Sequence, residues 1–175
     1  KCITTSEFQK EYISSVMKGT SIDILEPYLS DVFKKTSLTQ KPMVAVHSRE
    51  QRKTLNFIKI FYLKYPQYRW VTFKDMRGLT ESEFANNLKD CCASVWIDEI
   101  SGYGTFPLES MKCGVPCIGR VPNLTPSWMK DENGFWIGDE IMMVDFTADF
   151  IQNWLEDNIK PELYIEMDNT INSLS

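Results

Sequence analysis

The chain lacks any apolar run approaching the roughly 20 residues that a membrane-spanning helix needs, and its first residues show no apolar signal-peptide core. It also lacks an excess of basic residues, because 19 Lys and Arg stand against 24 Asp and Glu, for a net charge of −5. Nucleic-acid-binding surfaces normally carry a basic stripe. We therefore expect a protein with no transmembrane segment and no nucleic-acid partner.

Residues that bind metals are scarce. The chain has one histidine and five cysteines, an odd number without the spacing of a disulfide framework. Cys113 and Cys117 flank a Gly-Val-Pro turn, but no second pair of matching spacing completes a zinc site. We expect reduced, buried thiols, no metal and a cytoplasmic protein, with peripheral attachment at the inner membrane face left open for a longer chain.

The composition is that of an ordinary globular domain, with 43% apolar and 25% charged residues in 175 positions. This length suits a single domain, which we place at 1–175. Because the sequence begins with Lys1 and Cys2 instead of Met, we expect it to be a piece of a longer protein.

Strand and helix patterns alternate along the chain, which predicts an α/β domain: a Rossmann-like, doubly wound, mostly parallel sheet with helices on both faces. Three capping-box pairs, Ser6 with Gln9, Ser48 with Gln51 and Thr80 with Glu83, predict helix starts. The predicted strands are Val44–Val46, Trp70–Phe73, Ala93–Ile97, Val115–Ile118, Phe135–Ile137 and Met142–Val144. In such sheets, ligands bind beyond the carboxyl ends of the strands.

One strand-loop-helix segment carries most of the functional information. After the strand Ala93–Ile97, the loop contains Gly102 and Gly104, and Pro107 stands where a helix would begin, with Thr105 or Phe106 as its N-cap. Gly114 stands where that helix would need a left-handed C-cap. A glycine-containing loop before a helix N-terminus binds anions, because free amides and the helix dipole point at the ligand.

This segment resembles the signature of retaining, group 1 glycosyltransferases of the GT-B fold, whose C-terminal domain binds the nucleotide sugar. That signature is a Glu, a Gly-Phe-Gly element, a second Glu eight positions after the first, and a Gly-x-Pro turn. Gly102, Gly104, Glu109, Gly114 and Pro116 match it, and Tyr103 replaces the usual Phe. The similarity is strongest from about Val95 to Ile137 and extends weakly over almost the whole chain.

The resemblance implies a donor-binding site. Glu109 would accept hydrogen bonds from the ribose hydroxyls of the donor nucleotide, while the backbone around Gly102, Tyr103, Gly104 and Thr105 would approach its diphosphate. A solvated helix residue is the plain alternative for Glu109.

The family also places an Arg and a Lys five residues apart after its first strand. Lys53 occupies the Lys position and Ser48 the Arg position, so Arg49 is the candidate replacement for the arginine. Positive charge would stabilise the leaving diphosphate, and the resemblance implies no metal for that task. His47, which follows the same strand, could contact a phosphate or a sugar hydroxyl, although a lone histidine is often structural.

The first Glu of the signature is absent, because Ser101 stands in its place. The prediction is a glycosyltransferase fragment that binds a nucleotide-diphosphate sugar, while a missing N-terminal domain holds the acceptor saccharide. The fragment alone should bind nucleotide weakly and transfer nothing. The alternatives are a non-catalytic domain derived from the same fold, another GT-B activity such as epimerisation or phosphorolysis, and a flavodoxin-like signalling module.

Overall fold

A computed structural model describes residues 1–25, 28–36, 40–99, 103–123 and 125–174 of the protein. The strands are β1 (Cys2–Thr4), β2 (Ile22–Ile24), β3 (Lys41–His47), β4 (Thr72–Asp75), β5 (Cys91–Trp96), β6 (Cys117–Arg120) and β7 (Phe135–Ile137). The helices are α1 (Glu7–Val16), α2 (Gln51–Lys64), α3 (Glu81–Asp90), α4 (Thr105–Lys112), α5 (Glu140–Leu155) and α6 (Pro161–Ser173), with a 3-10 turn at Pro66–Tyr68.

The main sheet has five parallel strands in the order β4-β3-β5-β6-β7, and β1 and β2 form a separate parallel pair. From β3 the chain first adds β4 on one side and then crosses back to add β5 on the other. The carboxyl ends of β3 and β5, where His47 pairs with Trp96, therefore mark the topological switch point at which doubly wound sheets bind ligands.

Helices cover both faces of this sheet, which explains why its central strands are apolar without alternation. Val44 and Val46 face one side, where they pack with Phe57 and Phe61 of α2 and with residues of α5. Ala45 faces the other side, where the core includes residues of α3 and α4. The predicted fold class is confirmed.

Several predicted strand boundaries were wrong by about two residues. The strand predicted at Trp70 begins at Thr72, because the amide of Val71 still donates to Tyr68 in the preceding turn. The strand predicted at Val115 begins at Cys117, because the amide of Val115 donates back to Ser110.

The strand predicted at Met142–Val144 was wrong in type, since these residues lie in α5. The Asp139 side chain accepts hydrogen bonds from the amides of Ile141 and Met142 at 2.8 and 3.0 Å, which caps the helix ahead of the apolar triplet. Met143 and Val144 are buried, whereas Met142 is exposed, as expected for a helix lying along a sheet.

Candidate functional site

The loop that enters α4 is shaped by two indole rings. Gly104 is the N-cap and has left-handed backbone angles, φ 75° and ψ 61°. A Cβ added there would lie 3.0 Å from Cζ2 of Trp128 and 3.1 Å from Cη2 of Trp96. Trp128 Nε1 also donates to the carbonyl oxygen of Tyr103 at 2.7 Å. Glycine is therefore required at 104 both for its backbone conformation and for its lack of a side chain.

The helix begins earlier than predicted. Thr105 is its first residue and Gly104 its cap, so the predicted N-cap at Thr105 or Phe106 was wrong. Pro107 occupies the third helical position, which it tolerates because the first amides of a helix have no acceptor within the helix. Gly114 has the predicted left-handed conformation, with φ 76°. The amides of the first turn of α4 face the carboxyl edge of the sheet, as an anion site requires.

Glu109 is the fifth residue of α4, two residues further from the helix N-terminus than the predicted start at Pro107 would place it. Its side chain is half-buried. Burial, reinforced by the negative charge of Glu81, raises the pKa of Glu109 to about 7. Among the described residues, no Lys or Arg lies within ion-pair distance of its carboxylate. The carboxyl group is thus desolvated near the switch point without a compensating positive charge.

His47 connects the end of β3 to the same helix. Its ring stacks on Phe106 with centroids 4.9 Å apart and planes 25° apart, and it meets the edge of Phe84 at 6.2 Å. Burial lowers the pKa of His47, so the neutral ring is favoured at pH 7. Its Nδ1 atom is buried and has no hydrogen-bond partner among the described residues. The ring therefore has an unused polar atom at the ligand-binding edge.

The loop between β3 and α2 is held by Asp98, which follows β5. Asp98 Oδ1 accepts hydrogen bonds from Ser48 Oγ and from the amide of Arg49, both at 3.0 Å. The predicted capping box of Ser48 with Gln51 was wrong, because Ser48 accepts from the amide of Glu50 and Glu50 is the N-cap of α2. Arg49 consequently lies outside the helix and is exposed.

Lys53 projects from the first turn of α2 into a network of charges that sequence reasoning missed. Its Nζ atom lies 3.1 Å from Glu99 Oε1, 3.5 Å from Glu50 Oε1 and 3.9 Å from Glu140 Oε1. Arg120, the last residue of β6, contacts Glu99 and lies 3.0 Å from Glu140 Oε1. Glu99 lies in the loop after β5, Arg120 ends β6 and Glu140 begins α5, and no local motif signalled that they meet.

The structure thus divides the predicted donor-binding residues into two groups. Tyr103 and Gly104 precede α4, Thr105 begins it, His47 stacks on Phe106 in its first turn, and Glu109 follows in its second turn. Lys53 lies with the charge network on the α2 and α5 side, and Arg49 lies on the loop between. Gly102 and Ser101 lie outside the described residues. Among the described residues, no group of three or more His, Cys, Asp or Glu could hold a metal ion.

Solved structures share this fold across almost the whole chain. The pneumococcal O-GlcNAc transferase GtfA, in complex with UDP and GlcNAc, superposes with a TM-score of 0.69 at 13% identity, covering 98% of this chain and 41% of that one. The C-terminal domain of the group 1 glycosyl transferase LpcC from Francisella tularensis superposes with a TM-score of 0.59 at 13% identity, covering 81% and 95%.

The chain therefore has the fold of the C-terminal half of a GT-B glycosyltransferase of group 1. It is also related in sequence to the alpha-1,6-glucosyltransferase of Actinobacillus pleuropneumoniae serotype 7, with 26% identity over 144 residues, 79% of this chain and 44% of the relative. The chain thus spans less than half the length of this curated relative. No family model matches it. The predicted glycosyltransferase relationship is confirmed.

None of the described helices is both long enough and apolar enough to cross a membrane.

Proposed function

We propose that this chain binds a nucleoside-diphosphate sugar at the carboxyl edge of its sheet, and that the longer protein transfers the sugar to an acceptor saccharide held by an N-terminal domain. The fold supports this role, as do the relatives. One of them, the pneumococcal transferase, is described in complex with UDP and GlcNAc. Cations and helix amides neutralise the diphosphate, so no metal is needed. The protein works in the cytoplasm, where its five free cysteines stay reduced.

The observation that carries the proposal is the half-buried Glu109 carboxyl beside an anion-binding helix N-terminus. A phosphate beside the α4 amides would repel a carboxylate, unless the same ligand brings hydrogen-bond donors to it. A ribose, which is linked to the diphosphate through its 5′ oxygen, supplies two adjacent free hydroxyls, and each can donate to one carboxylate oxygen. A nucleotide therefore satisfies both the amides and Glu109, whereas free phosphate satisfies only the amides.

Saturation-transfer NMR with a panel of nucleoside diphosphates and their sugars tests this binding. Glu109→Ala is expected to weaken the affinity for the best ligand at least tenfold, about 1.4 kcal/mol. Glu132→Ala, at an exposed turn before β7 on the opposite edge of the sheet, is the matched control and should leave the affinity unchanged. Equal affinity of the Glu109→Ala variant and the parent chain would remove Glu109 from the site.

The pH dependence of binding gives an independent readout. Ribose hydroxyls favour the ionised carboxylate, so a bound nucleotide lowers the pKa of Glu109 from about 7. Affinity should therefore rise from pH 5.5 to pH 7.5 and then level off. UDP-glucose is the appropriate probe, because its diphosphate has no terminal phosphate that titrates in this range. Glu109→Gln should flatten the profile, and an unchanged profile in that variant would contradict the assignment.

A further inference from the structure

The resemblance implies two cations near the donor diphosphate, and Lys53 is the candidate for one of them. Ser48, at the position of the family arginine, is a neutral residue that is fully buried and donates to Asp98 at 3.0 Å. Arg49 is exposed on the loop, and its amide is fixed by the same aspartate. In the part of the chain that the structure describes, Arg49 forms no ion pair with the carboxylates around Lys53, so a cation that shares those contacts must come from another part of the fold.

Arg120 is positioned to be that cation. It ends β6, the strand next to β5, and so emerges at the same carboxyl edge as His47 and Asp98. Arg120 and Lys53 contact the same oxygen, Oε1 of Glu99, and both approach Oε1 of Glu140. Their side chains are each 24% exposed, so both charges are shielded but accessible from the edge.

The geometry reproduces what a diphosphate needs. Two negatively charged oxygens, one from Glu99 and one from Glu140, lie between a planar guanidinium and an ammonium group. Phosphate oxygens prefer this arrangement, and a guanidinium can bind them through two parallel hydrogen bonds. The carboxylates occupy the positions in which phosphate oxygens would be stabilised.

The network also contains more negative than positive charge. Lys53 and Arg120 contribute +2, and Glu50, Glu99 and Glu140 contribute −3, which leaves −1. An arriving diphosphate must therefore displace carboxylates from the cations. Glu140 and Glu99 are 41% and 37% exposed, so each can turn into water when it is replaced.

We propose that Lys53 and Arg120 form a two-cation clamp for the donor diphosphate, and that Glu99 and Glu140 occupy the clamp until the ligand displaces them. This inference rests on the proposed function and names the group that replaces the missing family arginine. Arg120 was not among the predicted site residues, since a residue that ends a strand after a Gly-x-Pro turn carries no motif of its own.

The test compares the affinities of UDP, uridine and inorganic pyrophosphate in the 175-residue chain, measured by ligand-observed NMR. Arg120→Gln should weaken UDP and pyrophosphate at least fivefold while leaving uridine unchanged, because only the diphosphate reaches the clamp. Arg120→Lys should retain part of the affinity. Arg69→Gln, an exposed arginine before β4 at the opposite edge of the sheet, is the control and should bind as the parent chain does.

Removing one of the carboxylates that the ligand displaces should strengthen the binding of UDP. Glu140→Gln leaves the clamp with less competing negative charge, so UDP should bind about twofold more tightly and uridine should not change. A Glu140→Gln variant that binds UDP no better than the parent would overturn the displacement. The two cations would then be held by a purely structural ion-pair network.

Failure of the clamp and failure of the proposed function give different results. If UDP binds the parent chain and the Arg120→Gln variant equally well, the clamp is wrong and the donor site stands. The same holds if Arg49→Gln weakens UDP binding and Arg120→Gln does not. If no nucleoside diphosphate of the panel binds the parent chain, both proposals are overturned. A melting temperature for each variant separates lost binding from lost folding.

Discussion

The two halves of the carboxyl edge of the sheet differ in whether their charged side chains have partners of opposite charge. Around α4, Glu109 is half-buried, and none of the described Lys or Arg residues compensates its carboxylate. Around α2 and β6, Lys53, Arg120, Glu99 and Glu140 compensate one another within a few ångströms. An ionisable group without a partner has a shifted pKa, which indicates the interaction that a ligand must supply. In the charge network the side chains already supply such interactions to one another, so the need for a ligand is not evident.

This difference explains why the α4 side was accessible to sequence reasoning and the α2 side was only partly so. The α4 corner is contiguous in the chain, from Tyr103 to Glu109. The charge network is assembled from residues separated by as many as 90 positions, Glu50 to Glu140. If this difference is real, substitutions in the two halves should change the free energy of unfolding by different amounts.

The largest expected effect belongs to the α4 corner. Gly104→Ala combines a positive φ with a Cβ pressed against Trp96 and Trp128. It should lower the free energy of unfolding by about 3 kcal/mol and reduce nucleotide affinity by displacing the first turn of the helix. Urea unfolding measures the stability. Gly138→Ala, whose Cβ would meet nothing within 4 Å, is the control and should change stability by less than about 0.5 kcal/mol.

A smaller effect of the opposite sign is expected at Glu109. Its pKa rises from 4.5 to about 7 on folding, so the folded state is progressively destabilised relative to the unfolded state as pH increases through this window. The Glu109→Gln variant has no ionisable group at this position, so it does not lose this stability. The variant should match the parent chain near pH 4 and exceed it by roughly 2 kcal/mol at pH 8. Equal stability of the two proteins at pH 8 would show that the carboxylate has a partner in solution.

The smallest effect is expected in the charge network. Glu140→Gln removes a 41% exposed carboxylate from Arg120 and from the N-terminus of α5, so stability should fall by less than about 1 kcal/mol. Because the lost interaction is electrostatic, the difference should shrink further in 1 M salt. A loss of several kcal/mol that is insensitive to salt would mean that the two halves of the edge do not differ as described.

Much of the fold was predictable from local patterns. The Thr80 and Glu83 capping box is present in full, and β3 contains the predicted Val44–Val46 run. The errors arose where one sequence pattern is compatible with two local structures. Met142–Val144 has the composition of a strand, but the cap at Asp139 places it in a helix. Ser48 has the spacing of a helix cap, but its hydroxyl donates a hydrogen bond to the buried Asp98, fifty residues away, and accepts one from the amide of Glu50.

By itself, the sequence determined the alternation of strands and helices, the glycine that precedes α4 and the presence of a carboxylate in that helix, because periodicity, φ preference and capping act over a few residues. Tertiary structure alone decided that Glu109 would be desolvated, that Trp128 would hold Tyr103 and that Arg120 would meet Lys53. Burial and ion pairing depend on distances between residues far apart in the chain, and those distances are set only when the parallel strands come into register.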